Sequence, residues 1–252
     1  MKTIVLSNLK GGTAKTATAH NVAAGIAKTG RTVLLIDLDQ QCNLSTDAGA
    51  NLQTDKNILN LLLGQCSIDE AIQETAQGLY IVPATTELAG ADIRINGNNK
   101  EYKLRNELQN VSFDYVIIDT PPALGQLTVQ ALTAADYVII PANAEKHSIE
   151  GIGLLYNIIQ SIKLRTNKDL KILCMLLTRY DKRSNLARDM ADNIKQVAAS
   201  LGTVLFDTPI RQTIKIPEAQ ALSKNIFDHA PSCNAAKDYK SFVNYIIKHC
   251  EK

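Results

Sequence analysis

Residues 9–17, L-K-G-G-T-A-K-T-A, bring two lysines, two glycines and two hydroxyls into nine positions. The chemistry open to such a set is the holding of a phosphate chain. Amides of a glycine turn and of a helix start point together at an anion. Lys15 has the reach for the outer phosphates, and the Thr16 hydroxyl suits Mg²⁺. The apolar run 3–7 and the helical pattern from Lys15 supply the strand, turn and helix that a phosphate loop requires. The strict spacing G-x-x-x-x-G-K-[ST] is broken at Leu9 and again at Ala14, and Lys10 adds a charge an ordinary loop does not need. If position 14 requires positive φ, alanine costs about 1–2 kcal/mol there relative to glycine.

Two acidic stretches could serve the same ligand. The apolar run 32–36 ends in D-L-D, Asp37 to Asp39. Carboxylates just past the carboxyl end of a parallel strand sit where open α/β sheets bind ligands. Residues 115–122, Y-V-I-I-D-T-P-P, have the Walker B pattern, four apolar positions delivering Asp119 for Mg²⁺, commonly through water. Pro121 and Pro122 stiffen the loop after that strand. No Ser/His/Asp or Cys/His set with a plausible partner emerges, so no side-chain nucleophile is expected. His147 reads as an exposed loop histidine.

The elements that must position these groups alternate. A helix is predicted over 15–28, with Ala19, Val22, Ala23 and Ile26 on its buried face and Gly30 as its stop. Residues 54–110 read as short helices, with a capping box from Ser67 to Glu70, a short strand at 79–82 and a loop at 96–100. A strand follows Asp136, then a helix from Ser148 to about 166 and a buried strand over 170–177. After residues 179–188, Leu186, Met190, Ile194 and Val197 form a stripe expected in the core. A short strand at 203–206 and a last helix over 235–250 complete the pattern. The expected fold is α/β, a single doubly wound and mostly parallel β-sheet flanked by helices, with residues 1–252 as one P-loop domain.

Of the 252 residues 45% are hydrophobic and 21% charged, ordinary for a soluble globular protein. No apolar run approaches the roughly 20 residues of a membrane helix, and the N-terminus runs straight into a strand, so no signal peptide is expected. Five scattered cysteines without CxxC spacing fit a reducing cytoplasm and small buried hydrophobes. Residues 1–150 carry 11 basic and 16 acidic side chains, residues 151–252 carry 16 and 9. The C-terminal part could therefore meet a polyanion.

The loop K-G-G-x-[GA]-K-[ST] resembles the deviant P-loop of the ParA/MinD/nitrogenase-iron-protein group of ATPases. The resemblance implies that Lys10 reaches across a dimer interface to the other subunit's nucleotide. D-L-D-Q-Q-C-N-L-S is similar to the family's D-x-D-P-Q-G-N, which implies that Asp39 orients the attacking water and Asp37 lies beside the metal. Gln40 and Cys42 stand where that motif has proline and glycine. Residues 115–122 resemble the second switch, and 136–151 the segment A-D-x-V-L-I-P followed by S-L-x-G. R-Y-D-K-R-S-N-L-A-R (179–188) is similar to M-Y-D-x-R-T-x-L. D-T-P-I-R-Q-T-I-K-I-P-E-A (207–219) resembles x-I-P-R-x-V-R-L-x-E-A, which closes over adenine. The implied nucleotide set is Lys10, Gly11, Gly12, Thr13, Ala14, Lys15, Thr16, Ala17, Arg179, Pro209 and Arg211. The implied metal set is Thr16, Asp37 and Asp119.

Within that group a reductase needs cluster-ligating cysteines after residue 119, and none lies between Cys66 and Cys174. The membrane-bound relative carries a basic amphipathic C-terminal helix, whereas Phe242, Val243, Tyr245, Ile246 and Ile247 read as core. Larger partition ATPases begin with a helix-turn-helix domain, but this chain begins at its first strand. The small Soj-like partition ATPase remains. It implies hydrolysis of ATP with Mg²⁺, weak intrinsic turnover, an ATP-dependent homodimer and a ParB-like or other centromere-binding partner that stimulates hydrolysis. It also implies nonspecific DNA binding through Arg183, Arg211 and Lys215, joined by Lys182, Arg188 and Lys224. The expected location is the cytoplasm, on the nucleoid in the ATP state, with no membrane contact. The alternatives are a MinD-like or regulatory ATPase that positions another machine, and an ATP-bound adaptor with little turnover.

Overall fold

The structure, a computed structural model, describes residues 1–145 and 148–251; the reading of His147 falls outside them. Seven strands form one sheet: β1 (Lys2–Leu6), β2 (Val33–Asp37), β3 (Gln73–Glu74), β4 (Tyr80–Val82), β5 (Tyr115–Asp119), β6 (Tyr137–Asn143) and β7 (Lys171–Thr178). Their order is β3-β4-β2-β5-β1-β6-β7, parallel throughout except for the edge strand β3 against β4. β2 and β5 are buried at every position, and their unbroken apolar runs suit strands covered on both faces.

The helices, in chain order, are α1 (Lys15–Ala27), α2 (Asn43–Ala48), α3 (Ile58–Leu62), α4 (Ile68–Ala71), α5 (Ala91–Arg94) and α6 (Lys103–Glu107). They continue with α7 (Gln126–Ala134), α8 (Ser148–Arg165), α9 (Asn185–Ser200), α10 (Lys215–Ala221), α11 (Ile226–His229) and α12 (Asn234–Cys250). One core joins α1, α2, α11 and α12 to one side of the sheet. The other joins α3 through α9 to the opposite side. The molecule is thus a doubly wound α/β sheet.

The face read for α1 is the buried one, since Ala19, Val22, Ala23 and Ile26 are all 0% exposed. Gly25 lets α12 come close. A Cβ there would stand 2.6 Å from Val243 Cγ2 and 3.0 Å from the Phe227 ring. The capping box forms as expected, Ser67 accepting from the Glu70 amide and Glu70 from that of Ser67.

Two expectations change, and one strand is added. Residues 203–206 make no strand. Leu205 bridges Met175 for one residue pair, and the chain then turns so that the Ile210 amide meets the Leu177 carbonyl. The stripe on α9 is only partly core. Ile194 and Ala198 are buried, but Leu186 is 65% exposed because α9 covers the edge strand with its C-terminal half alone. The antiparallel strand β3, two residues long, carries no readable sequence period.

Candidate functional site

Register brings the chemistry together. Leu6 and Asp37 both pair with Asp119, so the carboxyl ends of β1, β2 and β5 meet side by side. The 9–17 loop leaves β1 at that point and runs into α1. The Ala14 that starts α1 gives no side-chain cap, and the first turn has no acidic residue. The opening amides of α1 are therefore left for an external anion.

Residues passed over in the sequence hold this loop. Asn8 accepts from the Lys10 amide and donates to the Pro141 carbonyl. The Asn143 side chain donates to the Gly12 carbonyl at 3.2 Å, and the Thr178 hydroxyl to that of Thr13 at 3.0 Å. Asn8, Asn143 and Thr178 are all buried at strand ends. A polar residue closing an apolar strand was the only signal available for them.

Lys15 is 7% exposed, and its ammonium donates to the Lys10 carbonyl at 3.4 Å. Burial lowers its pKa, opposed by the nearby Asp119 and Asp39 carboxylates. The Thr16 hydroxyl donates to Asp119 Oδ2 at 2.6 Å. Asp119 Oδ1 is buried and has no hydrogen-bond partner. Burial and then Asp37 push the Asp119 pKa well above the ordinary carboxylate range. Asp37 is also buried and is pushed up to about 6, chiefly by desolvation. Both of its oxygens are engaged, one by the Asp39 amide and the other by the amide and hydroxyl of Ser45. This carboxylate therefore ties the 38–45 segment to the sheet, beside Asp119 at the carboxyl end of β5. Asp39 is 9% exposed and accepts from the Gln41 amide.

The Asp119 and Asp39 carboxylates lie beside the buried Lys15, and Asp37 stands next to Asp119 in the sheet. Thr16 and the unpartnered oxygen of Asp119 are hard oxygen donors and fit Mg²⁺, which keeps waters and takes phosphate oxygens rather than an all-protein cage. No group of three His, Cys, Asp or Glu side chains suited to a metal occurs among the described residues.

A cavity of about 990 Å³ runs from this loop to the 210–220 segment. Residues 11–17, Asp39, Pro122 and Arg179 line one end, and Ile210, Ile214, Ile216 and Pro217 the other. The second end is apolar enough for a planar base. Pro209 is not part of the lining, but its neighbour Ile210 is. Arg211 lines the wall and grips Asp238 with Nε and Nη2, while Asp238 itself is only 2% exposed. That ion pair fixes Arg211 at the wall, where its side chain stays partly exposed. Lys182 and Arg183 stand at the cavity mouth, Arg183 paired with Asp181. Lys215 pairs with Glu218 one turn along α10. Lys10 lies against Glu145 of its own chain rather than extending outward.

Ala14 (φ 59°), Cys42 (φ 53°) and Arg179 (φ 52°) are left-handed without being glycine. All three flank the cavity, and Ala14 and Cys42 stand where glycine was expected. Each carries about 1–2 kcal/mol of backbone strain, held by surrounding contacts such as the Cys42 amide on the Asp39 carbonyl.

A family model described as an AAA domain matches residues 1–172. The chromosome-partitioning ATPase Soj of Thermus thermophilus is 34% identical, with 98% of this chain and 96% of that protein covered. The chromosome partitioning protein ParA of Caulobacter vibrioides is 33% identical over 98% and 94%. Among solved structures, cobyrinic acid a,c-diamide synthase from Mycobacterium smegmatis with bound ADP and magnesium has a TM-score of 0.87 at 32% identity, covering 100% of this chain and 96% of that one. A plasmid partition protein of Borrelia burgdorferi bound to AMPPNP shares the fold, with a TM-score of 0.84 at 24% identity over 98% and 99%. With the phosphate-type loop, the paired switch carboxylates and full-length similarity to these ATPases in place, the chain belongs to the ParA/Soj family of partition ATPases.

Proposed function

We propose that this chain binds ATP with Mg²⁺ in the 990 Å³ cavity, hydrolyses it slowly, and uses the ATP state to dimerise and to hold DNA without sequence preference. The observation that carries the reading is the unpartnered, buried Asp119 Oδ1 beside the Thr16 hydroxyl, at the foot of an uncapped helix. A site with an orphaned anion next to free helix amides is completed by a cation and a phosphate together. Mg²⁺ there would neutralise charge on the outer phosphates. Lys15 and the loop amides would hold those phosphates, Thr16 and Asp119 the metal, and Asp39 the attacking water.

Lys10 would act in trans, which requires it to leave Glu145. Arg183 and Lys215, with Lys182, would supply phosphate contacts to DNA once two subunits align their cavity mouths. A ParB-type partner would speed hydrolysis and release the dimer, giving segregation of a plasmid or chromosome.

The Mycobacterium structure supports a second reading, amide synthesis on the same scaffold, because its 32% identity rivals that of the partition proteins. The two readings separate by what stimulates ADP release, duplex DNA with a partner protein or a carboxylic acid with an amine donor.

The test is nucleotide titration and light scattering on two variants. Lys15→Ala should abolish ATP binding. Lys10→Ala should bind ATP nearly as well as the unaltered chain but fail to dimerise. A Lys10 variant that dimerises normally with ATP removes the trans role.

A further inference from the structure

We propose that Gln220, held in one orientation by Asp47, is the side chain that selects a 6-amino purine over a 6-oxo purine at the base end of the cavity. The inference rests on the nucleotide reading above and adds the residues that choose the base. Gln220 lines the cavity, and on α10 it stands four residues from Ile216 and three from Pro217. That spacing puts all three on one face of the helix. A purine seated against Ile216 and Pro217 therefore meets Gln220 at its edge.

A primary amide carries a donor and an acceptor side by side, so it selects nothing unless its orientation is fixed. Gln220 Nε2 donates to Asp47 Oδ2 at 2.6 Å. Asp47 is 6% exposed, and burial pushes its pKa up to about 6. From neutral pH upward it is therefore ionised and can only accept. The donor end of the Gln220 amide is committed to it, and Oε1 is the atom left for the cavity.

The backbone around this pair is tied as well. Gln77 Nε2 donates to the carbonyls of Asp47 and Ser223, each at 2.9 Å, and the Ser223 hydroxyl donates to the Thr46 carbonyl at 3.0 Å. The end of α2 is thus fastened to the turn that follows α10, and Asp47 stays opposite Gln220. Other polar groups of the same wall are engaged elsewhere, Arg211 by Asp238 and the Tyr239 hydroxyl by that of Thr18. Gln212 and Asn234 also line the cavity, but no hydrogen bond among the described residues orients their side-chain amides. An unheld amide offers whichever end the base requires and does not discriminate.

Adenine presents its N6 amino donors where guanine presents the O6 acceptor. Oε1 at that position accepts from the first and opposes the second, leaving two acceptors face to face with no proton between them. A site that hydrogen-bonds a donor rejects the analogue that lacks it, by about 10⁴ or more where the site is fully closed. Gln220 is only half-buried, so water can relieve part of the mismatch, and a factor of about ten is expected here.

The experiment is calorimetric titration of the full chain at pH 8 with the magnesium salts of ADP, GDP and inosine diphosphate. Diphosphates keep hydrolysis and ATP-dependent dimerisation out of the reading. The unaltered chain should bind ADP about tenfold more tightly than either 6-oxo nucleotide. Gln220→Met keeps the length of the side chain without its amide, so ADP should weaken about tenfold, GDP should hold, and the ratio should approach one. Asp47→Asn lets the Gln220 amide turn its donor to O6, so GDP should gain about fivefold. Each result is a ratio within one protein, and a partly unfolded variant loses binding stoichiometry rather than selectivity. A ratio below threefold in the unaltered chain overturns the proposal, as does a ratio that survives Gln220→Met or is unmoved by Asp47→Asn. Inosine diphosphate binding as tightly as ADP while GDP is rejected would place the discrimination at position 2 of the purine and overturn it too. Absence of binding by all three nucleotides defeats the nucleotide reading itself, whereas tight ADP binding without selectivity defeats this inference alone.

Discussion

Replacing Asp119 with asparagine should stabilise the nucleotide-free protein while removing its response to Mg²⁺. The carboxylate is fully buried, its Oδ1 has no partner, and Asp37 stands opposite it in the sheet. An unsatisfied buried acceptor costs about 1–3 kcal/mol, and more when charged. Asparagine keeps the shape and the acceptor for Thr16; its Nδ2 amide inherits the unpartnered place of Oδ1, so the gain comes from removing the buried charge. For a chain of this length 1 kcal/mol moves Tm by about 2 °C, so the variant should melt roughly 2–6 °C higher without ligand. The sign of the pH dependence comes from linkage. The folded-state pKa of Asp119 is raised by burial and by Asp37. Its contribution is therefore fully present below the unfolded pKa of about 3.9 and is lost as pH rises through the folded value. Asp37, pushed up to about 6, acts in the same direction and remains in the variant. The advantage of the Asp119→Asn variant should accordingly be small in acid and largest at pH 7–8. Mg-ATP at 100 times its Kd should stabilise the unaltered chain by about 2.7 kcal/mol, whereas the gain in the variant should not depend on Mg²⁺. Differential scanning calorimetry at pH 5 and pH 8, without ligand, with ATP alone and with Mg-ATP, reads these quantities. A variant that melts lower than the unaltered chain at pH 8 without ligand would refute the reasoning, as would an intact Mg²⁺ response.

Two further substitutions have definite expected outcomes. Asp39→Ala removes a carboxylate that faces the cavity but holds no phosphate, so ATP should accumulate a long-lived dimer while ADP release falls at least tenfold; turnover at the original rate would move water positioning to another residue. Gly25→Ala drives a Cβ to 2.6 Å from Val243 between α1 and α12. Overpacking of that kind costs about 1–3 kcal/mol, and urea melts showing no loss would mean that the two helices part without cost.

The parts legible in the sequence were those written in local pattern. A phosphate loop between an apolar strand and a helix, and aspartates at the ends of apolar runs, are contiguous features, because strand end and helix start are neighbours in the chain. The doubly wound fold was readable from the alternation, since a parallel sheet demands apolar strands and helical crossovers. Tertiary structure decided the rest. The sheet order alone sets Asp37 beside Asp119 and strips Asp119 Oδ1 of partners. Asn8, Asn143 and Thr178 clamp the loop through contacts spanning at least 131 residues, apart from the local Asn8–Lys10 bond. Arg211 was placed by resemblance, and its pairing with Asp238, 27 residues later, shows only in the fold. Spacing along a chain carries the type of a side chain and its local period, but the field it stands in depends on which distant strands register against it.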